Sequence, residues 1–363
     1  MADLDHAPRE GVETIGAVIG RLTSGGSLDR EGARETMRCL MRGEASDAQI
    51  ASLLTALKMR GETAQEIAGF AEGMREAATA IRPEVRPLLD TCGTGGDGLC
   101  TFNISTAAAF IAAGAGAYIA KHGNRGVSSP CGSADVLEAL GVTVELAPEE
   151  VRTCIEEVGI GFMFAPNFHP AMRHVMRARR EMGVPTAFNL LGPLTNPAGA
   201  EVQVLGVGMG DKASLVAHAL AEMGVKRAMV VHGEDGMDEF STTSPTRVWE
   251  IGPGGVRFYR FDARELGIPR ADLRDLVGGD AADNARIIAG EVLTGGPGPR
   301  RDIAVLNAAA ALTVAGLAGG LREGVTIAER SIDSGAALGK LRELASLTRA
   351  MAARSAAAGT GGA

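Results

Sequence analysis

Two short polar loops carry the residue types that hold an anion. The first, Gly93-Thr94-Gly95-Gly96-Asp97-Gly98, follows an apolar run ending at Leu88-Leu89-Asp90 and precedes Ser105-Thr106, where an Ala-rich helical pattern begins. The order strand, glycine loop, helix brings free N–H groups and the positive end of a helix to one place, and glycine lets main chain approach a ligand closely. Ser105 or Thr106 either caps that helix or turns its hydroxyl toward a cation beside the anion. Alone, the loop is a weak signal, because Gly359-Thr360-Gly361-Gly362 spells the same GTGG near the C-terminus. The second loop supplies what the first lacks. After Ala117-Tyr118-Ile119-Ala120 comes Lys121-His122-Gly123-Asn124-Arg125-Gly126-Val127-Ser128-Ser129, with cations, an amide, hydroxyls and glycine N–H groups at the end of a second strand. Ligands of open α/β sheets bind beyond the carboxyl ends of strands, so two such loops on neighbouring strands face one crevice. A phosphorylated small molecule is the expected ligand.

Two further stretches could act beside these loops. Within HGEDGMDEF, Asp238-Glu239 close a loop that follows the apolar run Ala228 to His232, and Glu234 and Asp235 precede them. So many acids at a strand end exceed what a turn requires, and carboxylates are the ligands Mg2+ selects alongside water and substrate phosphates. Adjacent side chains on an extended loop diverge, so the two acids could touch different ions. A basic helix carries His169, Arg173, His174, Arg177, Arg179 and Arg180. The spacing of Arg177 and Arg179 places them on different faces. A solvated face is expected for most of these residues.

The elements that position these residues read as follows. Residues 11 to 80 are helical: Val12, Ile15, Val18 and Ile19 form one apolar face, and Met37, Leu40 and Met41 another. Capping boxes, Ser46 with Gln49 and Thr63 with Glu66, open the segments that follow. This helical unit is expected to carry structure, and a dimer surface, rather than chemistry. Pro83 and Pro87 mark the crossing into a second part, where apolar runs at 141–144, 161–165, 202–207 and 228–232 alternate with helical patterns at 133–140, 148–158 and 213–223. Alternation of this kind argues for a largely parallel sheet covered by helices on both faces. Runs at 246–251 and 256–261, separated by Gly252-Pro253-Gly254-Gly255, read as a hairpin or two edge strands. Ala-rich helices are expected at 284–293 and 303–318, and Asn189 to Pro197 reads as rigid architecture. The last helix begins near Ser334 or Gly335 and is expected to give way to disorder from Ala356 onward.

Composition narrows the function classes. The 363 residues are 45% hydrophobic, 22% charged and 4% aromatic, with 50 glycines, which fits a soluble α/β protein of about two domains. A formal net charge of −8 without a long basic run argues against nucleic acid and against an anionic membrane surface. Cysteines at 39, 92, 100, 131 and 154 have neither metal-type nor disulfide-framework spacing. The N-terminal MADLDHAPREG lacks a signal region, and no apolar run reaches membrane-spanning length. A reducing cytoplasm is the expected location.

The sequence resembles the anthranilate phosphoribosyltransferases of tryptophan biosynthesis. GTGGD, NIST, KHGNR, SS followed by GSAD and LEALG, then FNLLGPLTNPA and GMDE occur in that order, and the likeness reaches SIDSGAA near the C-terminus. The resemblance implies a small helical N-terminal domain, 1–83, with the helix at about 169–183 packed on it. A larger α/β domain of nucleoside phosphorylase and phosphoribosyltransferase type, 84–363, would follow, and the chain would form a homodimer. It implies transfer of the phosphoribosyl group of 5-phosphoribosyl 1-diphosphate (PRPP) to the amino group of anthranilate, releasing pyrophosphate. Carried over residue by residue, Gly93, Gly96, Asp97, Thr101, Asn103, Ile104, Ser105, Thr106, Lys121, His122, Gly123, Asn124, Arg125, Gly126, Val127, Ser128, Ser129 and Ser133 would surround PRPP. Ser105, Asp238 and Glu239 would hold Mg2+, two ions per subunit, and Gly93, Asn124 and Arg179 would meet anthranilate, with His169 at the border of that pocket. No general base is implied, because the arylamine is neutral at pH 7 and its proton becomes acidic as the C–N bond forms. Cys100, Gly126, Pro130-Cys131 and Met172 depart from the family's pattern; the N–H of Gly126 would still be offered to phosphate, and Met172 leaves the preference for anthranilate open. Pyrimidine nucleoside phosphorylases share the architecture, but Asn124-Arg125 and Asp238-Glu239 have no place there. Nucleic-acid-binding relatives use a basic groove, against which the net charge counts.

Overall fold

The protein is described by a computed structural model covering residues 13–126 and 129–360. It divides into two compact units, Met1–Ala78 with His169–Thr195, and Thr79–Phe168 with Asn196–Ala363. In this division the first unit ends its opening stretch at Ala78 and takes back the segment His169–Thr195.

The first unit is built on α1 (Ile15–Thr23), α2 (Arg30–Arg42), α3 (Asp47–Arg60) and α4 (Ala64–Glu76). Each opens on a capping side chain, and both expected boxes are present. Ser46 Oγ accepts from Gln49 N–H at 3.3 Å while the Gln49 amide oxygen accepts from Ser46 N–H at 2.9 Å. Thr63 and Glu66 exchange the same pair at 3.2 and 2.8 Å. Glu66 is fully buried, where it also accepts from Leu28 N–H at 2.9 Å and pairs with Arg60. Two glycines let α4 lie close against α2: a Cβ at Gly69 would stand 2.1 Å from the Arg30 carbonyl oxygen, and one at Gly73 2.6 Å from that of Arg34. A helix at Arg173–Met182 packs on α2 and α3, with the His174 ring over Gly43. Asn189 to Pro197 opens with helical turns at Phe188–Leu191 and Gly192–Leu194. Val12, assigned to the first apolar face, lies outside the described residues.

The second unit is one seven-stranded sheet. In chain order the strands are β1 (Leu88–Gly93), β2 (Tyr118–Gly123), β3 (Ile160–Phe164), β4 (Val202–Gly206), β5 (Arg227–Gly233), β6 (Thr246–Gly252) and β7 (Gly255–Phe261). Across the sheet they run β3-β2-β1-β4-β5-β6-β7. The first five are parallel, and β6 and β7 form an antiparallel hairpin at one edge. The parallel strands are almost wholly buried, as near-continuous apolar runs require when helices cover both faces. Helix α5 (Ile104–Gly114) and the helix Pro299–Ala315 supply much of that cover, with runs of alanine fully out of solvent. No helix among the described residues is long and apolar enough to cross a membrane.

Two expectations are corrected. Residues 141–144 are not a strand: Val142 and Val144 are buried, but the Thr143 N–H goes to Thr348 Oγ1 at 3.0 Å, so apolar burial here anchors a loop on a helix. Nor does the terminal helix stop at Ala356, since it continues to Thr360; the rest of the stretch expected to be disordered, 361–363, lies outside the described residues. Alanine has the highest helix propensity, and Ser355 Oγ donates to Glu150 at 3.0 Å. The helix Leu321–Asp333 was not foreseen from the sequence.

Candidate active site

The end of β1 starts the site. Gly95, Gly96 and Gly98 have φ of 65°, 79° and 72°, a left-handed run that turns the chain sharply after Gly93. Cys100 follows with φ of 53°, unusual for a residue with a Cβ. It is held there by neighbours from later in the chain: its carbonyl accepts from Gly278 N–H at 2.9 Å, and Phe102 N–H donates to the Leu276 carbonyl at 3.0 Å.

Strand β5 brings Asp238 and Glu239 to this loop. The Gly95 N–H donates to Asp238 Oδ2 at 2.8 Å, and the Ser105 N–H at the start of α5 donates to Glu239 Oε1 at 3.1 Å. Space for this approach is made by glycine. A Cβ at Gly93 would lie 2.3 Å from Asp238 Oδ2, and one at Gly206 only 1.5 Å from the Asp238 carbonyl oxygen. Lys121, buried at the end of β2, donates to the Thr91 carbonyl and, at 3.3 Å, to Ser105 Oγ. Ser105, Asp238, Glu239 and Lys121 thus meet on the side of the sheet where the parallel strands end.

The electrostatics of that meeting favour a cation. Burial, then the nearby Asp97 carboxylate, pushes Asp238 up to about 7, and burial with the Asp238 charge drives Glu239 well above the usual carboxylate range. Lys121 opposes the rise at Glu239, but it cannot neutralise the acids together. A divalent ion would relieve the repulsion, and a hydroxyl, two carboxylates, water and phosphate oxygens are the donors Mg2+ takes. Among the described residues no group of three or more His, Cys, Asp or Glu is arranged to hold a metal unaided. Deeper in the sheet, Asp90 is fully buried, accepts from the Asn196 side chain at 2.7 Å and from His122 N–H at 3.3 Å, and burial raises it to about 6.

The second loop is braced from the helix Ser133–Ala139. Ser133 Oγ and Ala134 N–H both reach the Asn124 carbonyl, at 3.3 and 3.1 Å. Asp135 accepts from the N–H groups of Gly126 and Gly132, each at 2.8 Å. The Gly126 N–H offered to phosphate in the sequence reading is therefore already given to Asp135. Arg125 is likewise turned outward, onto Glu138 at 2.6 and 2.9 Å, with its guanidinium 5.3 Å from the Phe164 ring. Asn124 accepts from Arg125 N–H through its own side chain at 2.8 Å, and Ser129 Oγ donates to the Cys131 carbonyl at 3.2 Å. Ile104 and Thr106 face the core, so only their backbones could serve a ligand. Val127 and Ser128 lie outside the described residues.

Two residues not singled out from the sequence, Asn284 and Asn307, tie the loops together. Asn103 donates to the Cys131 carbonyl at 3.3 Å and accepts from Asn284 at 2.9 Å; Asn284 in turn accepts from Gly279 N–H at 2.9 Å. Asn307 accepts from the Phe240 N–H and donates back to the Phe240 carbonyl, both at 3.0 Å, clamping the residue after Glu239. Asn284 and Asn307 are each 2% exposed. An asparagine amid an apolar helical run, as in Leu306-Asn307-Ala308, was the available signal.

In the first unit, Arg179 alone of the basic cluster is set apart. Arg173, Arg177 and Arg180 are exposed, and Arg177 is spent on Glu181 at 3.0 Å and Asp47 at 3.4 Å. Arg179 is half-buried, with its guanidinium 4.8 Å from the Phe188 ring and 3.7 Å from the Met176 sulfur. It has no carboxylate partner among the described residues, and burial draws its pKa down. His169 is buried, and loss of water holds it near 4, hence neutral.

Residues 85–338 match the glycosyl transferase family a/b domain, and residues 17–78 match the helical bundle domain of the same family. The anthranilate phosphoribosyltransferase of Moorella thermoacetica is 51% identical over 93% of this chain and 99% of its own length. The chain belongs to the anthranilate phosphoribosyltransferase family. Among solved structures, the family member from Thermus thermophilus has a TM-score of 0.87 and 47% identity, with 92% of this chain and 99% of that one covered. The Saccharomyces cerevisiae anthranilate phosphoribosyltransferase in complex with PRPP and Mg has a TM-score of 0.85 at 28% identity, covering 93% and 98%. Family membership favours the phosphoribosyltransferase expectation over the pyrimidine nucleoside phosphorylase and nucleic-acid-binding alternatives.

Proposed function

We propose that the chain transfers the phosphoribosyl group of PRPP to the amino nitrogen of anthranilate, giving N-(5-phosphoribosyl)anthranilate and pyrophosphate. The observation that carries the reading is the convergence of Ser105, Asp238, Glu239 and Lys121 on a left-handed glycine loop. In the reaction the bond from C1 to the diphosphate oxygen breaks while the arylamine nitrogen bonds to C1, and the proton leaves the nitrogen as it becomes acidic. The departing group is a polyanion, so stabilising its charge is the main task. Glycine-loop N–H groups, the start of α5 and the Lys121 ammonium all present positive potential there.

Mg2+, held by Asp238, Glu239 and the Ser105 hydroxyl, two ions per subunit, would supply further charge to the diphosphate oxygens. Asp97, Thr101 and Asn103, beside the same loop, are assigned to PRPP, with His122, Gly123, Asn124, Ser129 and Ser133 from the second loop. Arg125 and Gly126 join them only if their bonds to Glu138 and Asp135 open. Arg179 is assigned to the anthranilate carboxylate, because a guanidinium with an aromatic face beneath it and no acid beside it is suited to a bidentate partner. Gly93, Asn124 and His169 are likewise assigned to anthranilate. A homodimer formed through the helical unit, in the cytoplasm, completes the proposal; Met59, Met176 and Val184, exposed apolar side chains of that unit, favour such a surface.

Calorimetry of PRPP binding tests the site. Affinity should rise at least tenfold on adding Mg2+, and Asp238→Ala should lose that increment while keeping the fold. An increment unchanged in both Asp238→Ala and Glu239→Ala would contradict the assignment.

A further inference from the structure

Behind the phosphate loops, in the second unit, lies a cavity of about 530 Å³ that the reaction does not use. Its walls are apolar and small: Ala139 and Leu140, Ala285 and Ala289, then Leu338, Leu341 and Ala345 from the terminal helix. Methyl-lined walls leave room for a flat body. Its rim is basic in a protein of net charge −8, with Arg286, Arg342 and Arg349 all lining it. Arg286 is already neutralised by Asp283 at 3.6 Å and Glu291 at 2.9 Å. Arg342 and Arg349 have no carboxylate partner among the described residues; Arg349 gives one N–H to the Ala345 carbonyl at 3.0 Å. Two turns apart, they share one face of their helix, roughly 10 Å from each other, with apolar side chains between. Ala289 belongs to a π-helical stretch, Ile287–Val292, a rare winding that is frequent at functional sites.

We propose that this cavity binds a small amphipathic anion, an aromatic carboxylate or sulfonate, with its ring on the alanine and leucine wall and its charge on Arg342 or Arg349. The volume falls in the range of small-molecule sites, and an apolar wall with few cations fixes such a ligand's orientation. Occupation of the cavity is coupled to the phosphate loops, because two of its walls continue into them. Ala285 follows Asn284, which donates to Asn103. Ala139 ends the helix whose Ser133 and Asp135 brace Asn124 and Gly126. The coupling rests on the function proposed above, but the binding does not.

The test uses the full-length chain and the fluorescent anion anilinonaphthalenesulfonate, titrated with PRPP and Mg2+ present. Saturable binding of one probe per chain is expected, weakened at least fivefold by Arg342→Glu and by Ala289→Trp, which fills the cavity, and unchanged by Arg179→Ala. Without probe, Arg342→Glu should keep the wild-type turnover. Probe should shift the KM for PRPP at least twofold in the wild type and not in Arg342→Glu. Absence of saturable binding, or binding lost with Arg179→Ala and retained in Arg342→Glu, overturns the site. A wild-type KM unmoved by bound probe overturns the coupling.

Discussion

At the scale of single residues, the site depends on missing atoms as much as on present ones. Gly206 lies where a Cβ would meet the Asp238 carbonyl oxygen at 1.5 Å, backbone against backbone, so no side-chain rotation relieves it. Gly206→Ala should therefore cost about 1–3 kcal/mol of stability, typical of an overpacked core. Since the displaced atoms carry Asp238, turnover should fall at least a hundredfold; thermal unfolding and steady-state kinetics measure the two effects separately. For Arg179, a hydrogen bond between ionised groups is worth roughly 1.5–3 kcal/mol. Arg179→Ala should raise the KM for anthranilate at least tenfold and leave that for PRPP within a few fold. Arg179→Lys should restore part, since a point charge lacks the fork. Arg180→Ala, an exposed change, should alter neither, and equal salt-sensitive losses across the arginines would show only anion steering. The placing of Gly93 to Gly98 and of Asp238-Glu239 in loops that follow strands was legible, because each is a local polar run after an apolar one. The engagement of Arg125 and Gly126 with Glu138 and Asp135 was not, because those partners come from a helix that no local pattern links to the loop.

At the scale of elements, the capping boxes at Ser46 and Thr63 could be read directly, because both partners lie within one turn. Ser46→Ala should lower stability by about 1 kcal/mol, read as the denaturation midpoint. Residues 141–144 show the converse: two buried valines look alike in a strand and in a loop pinned to a helix, and only the path of the Thr143 N–H tells them apart. Asn307 belongs to the same class of long-range anchors. It satisfies the Phe240 N–H and carbonyl together, so Asn307→Leu should leave both without that partner in the core and cost on the order of 3 kcal/mol. Because Phe240 follows Glu239, the same variant should need several times more Mg2+ for half-maximal turnover, a shift that lost stability alone would not give.

For the whole molecule, pH dependence is set by buried groups of opposite sign. His169 is held near 4 against an ordinary value of 6.5, so the unfolded chain takes up a proton that the native state refuses. The stability this contributes is complete above 6.5 and is lost as pH falls toward 4, by about 3 kcal/mol at most. Asp90, raised to about 6, acts the other way: its contribution is complete below 3.8 and is lost as pH rises through 6. Relative to the wild type, His169→Asn should thus gain stability, and Asp90→Asn should lose it, between pH 7 and pH 4.5 in urea titrations. Assembly through the helical unit predicts a mass near twice 37.3 kDa by light scattering at micromolar concentration; a value near 37.3 kDa would exclude the dimer. The activity itself is open to one direct measurement, the fluorescence of anthranilate mixed with the purified chain. It should disappear only when PRPP and Mg2+ are both present, with pyrophosphate released in equal amount, and Asp238→Ala should slow it at least a hundredfold. Fluorescence that persists with the wild-type chain, PRPP and Mg2+ together would contradict the account.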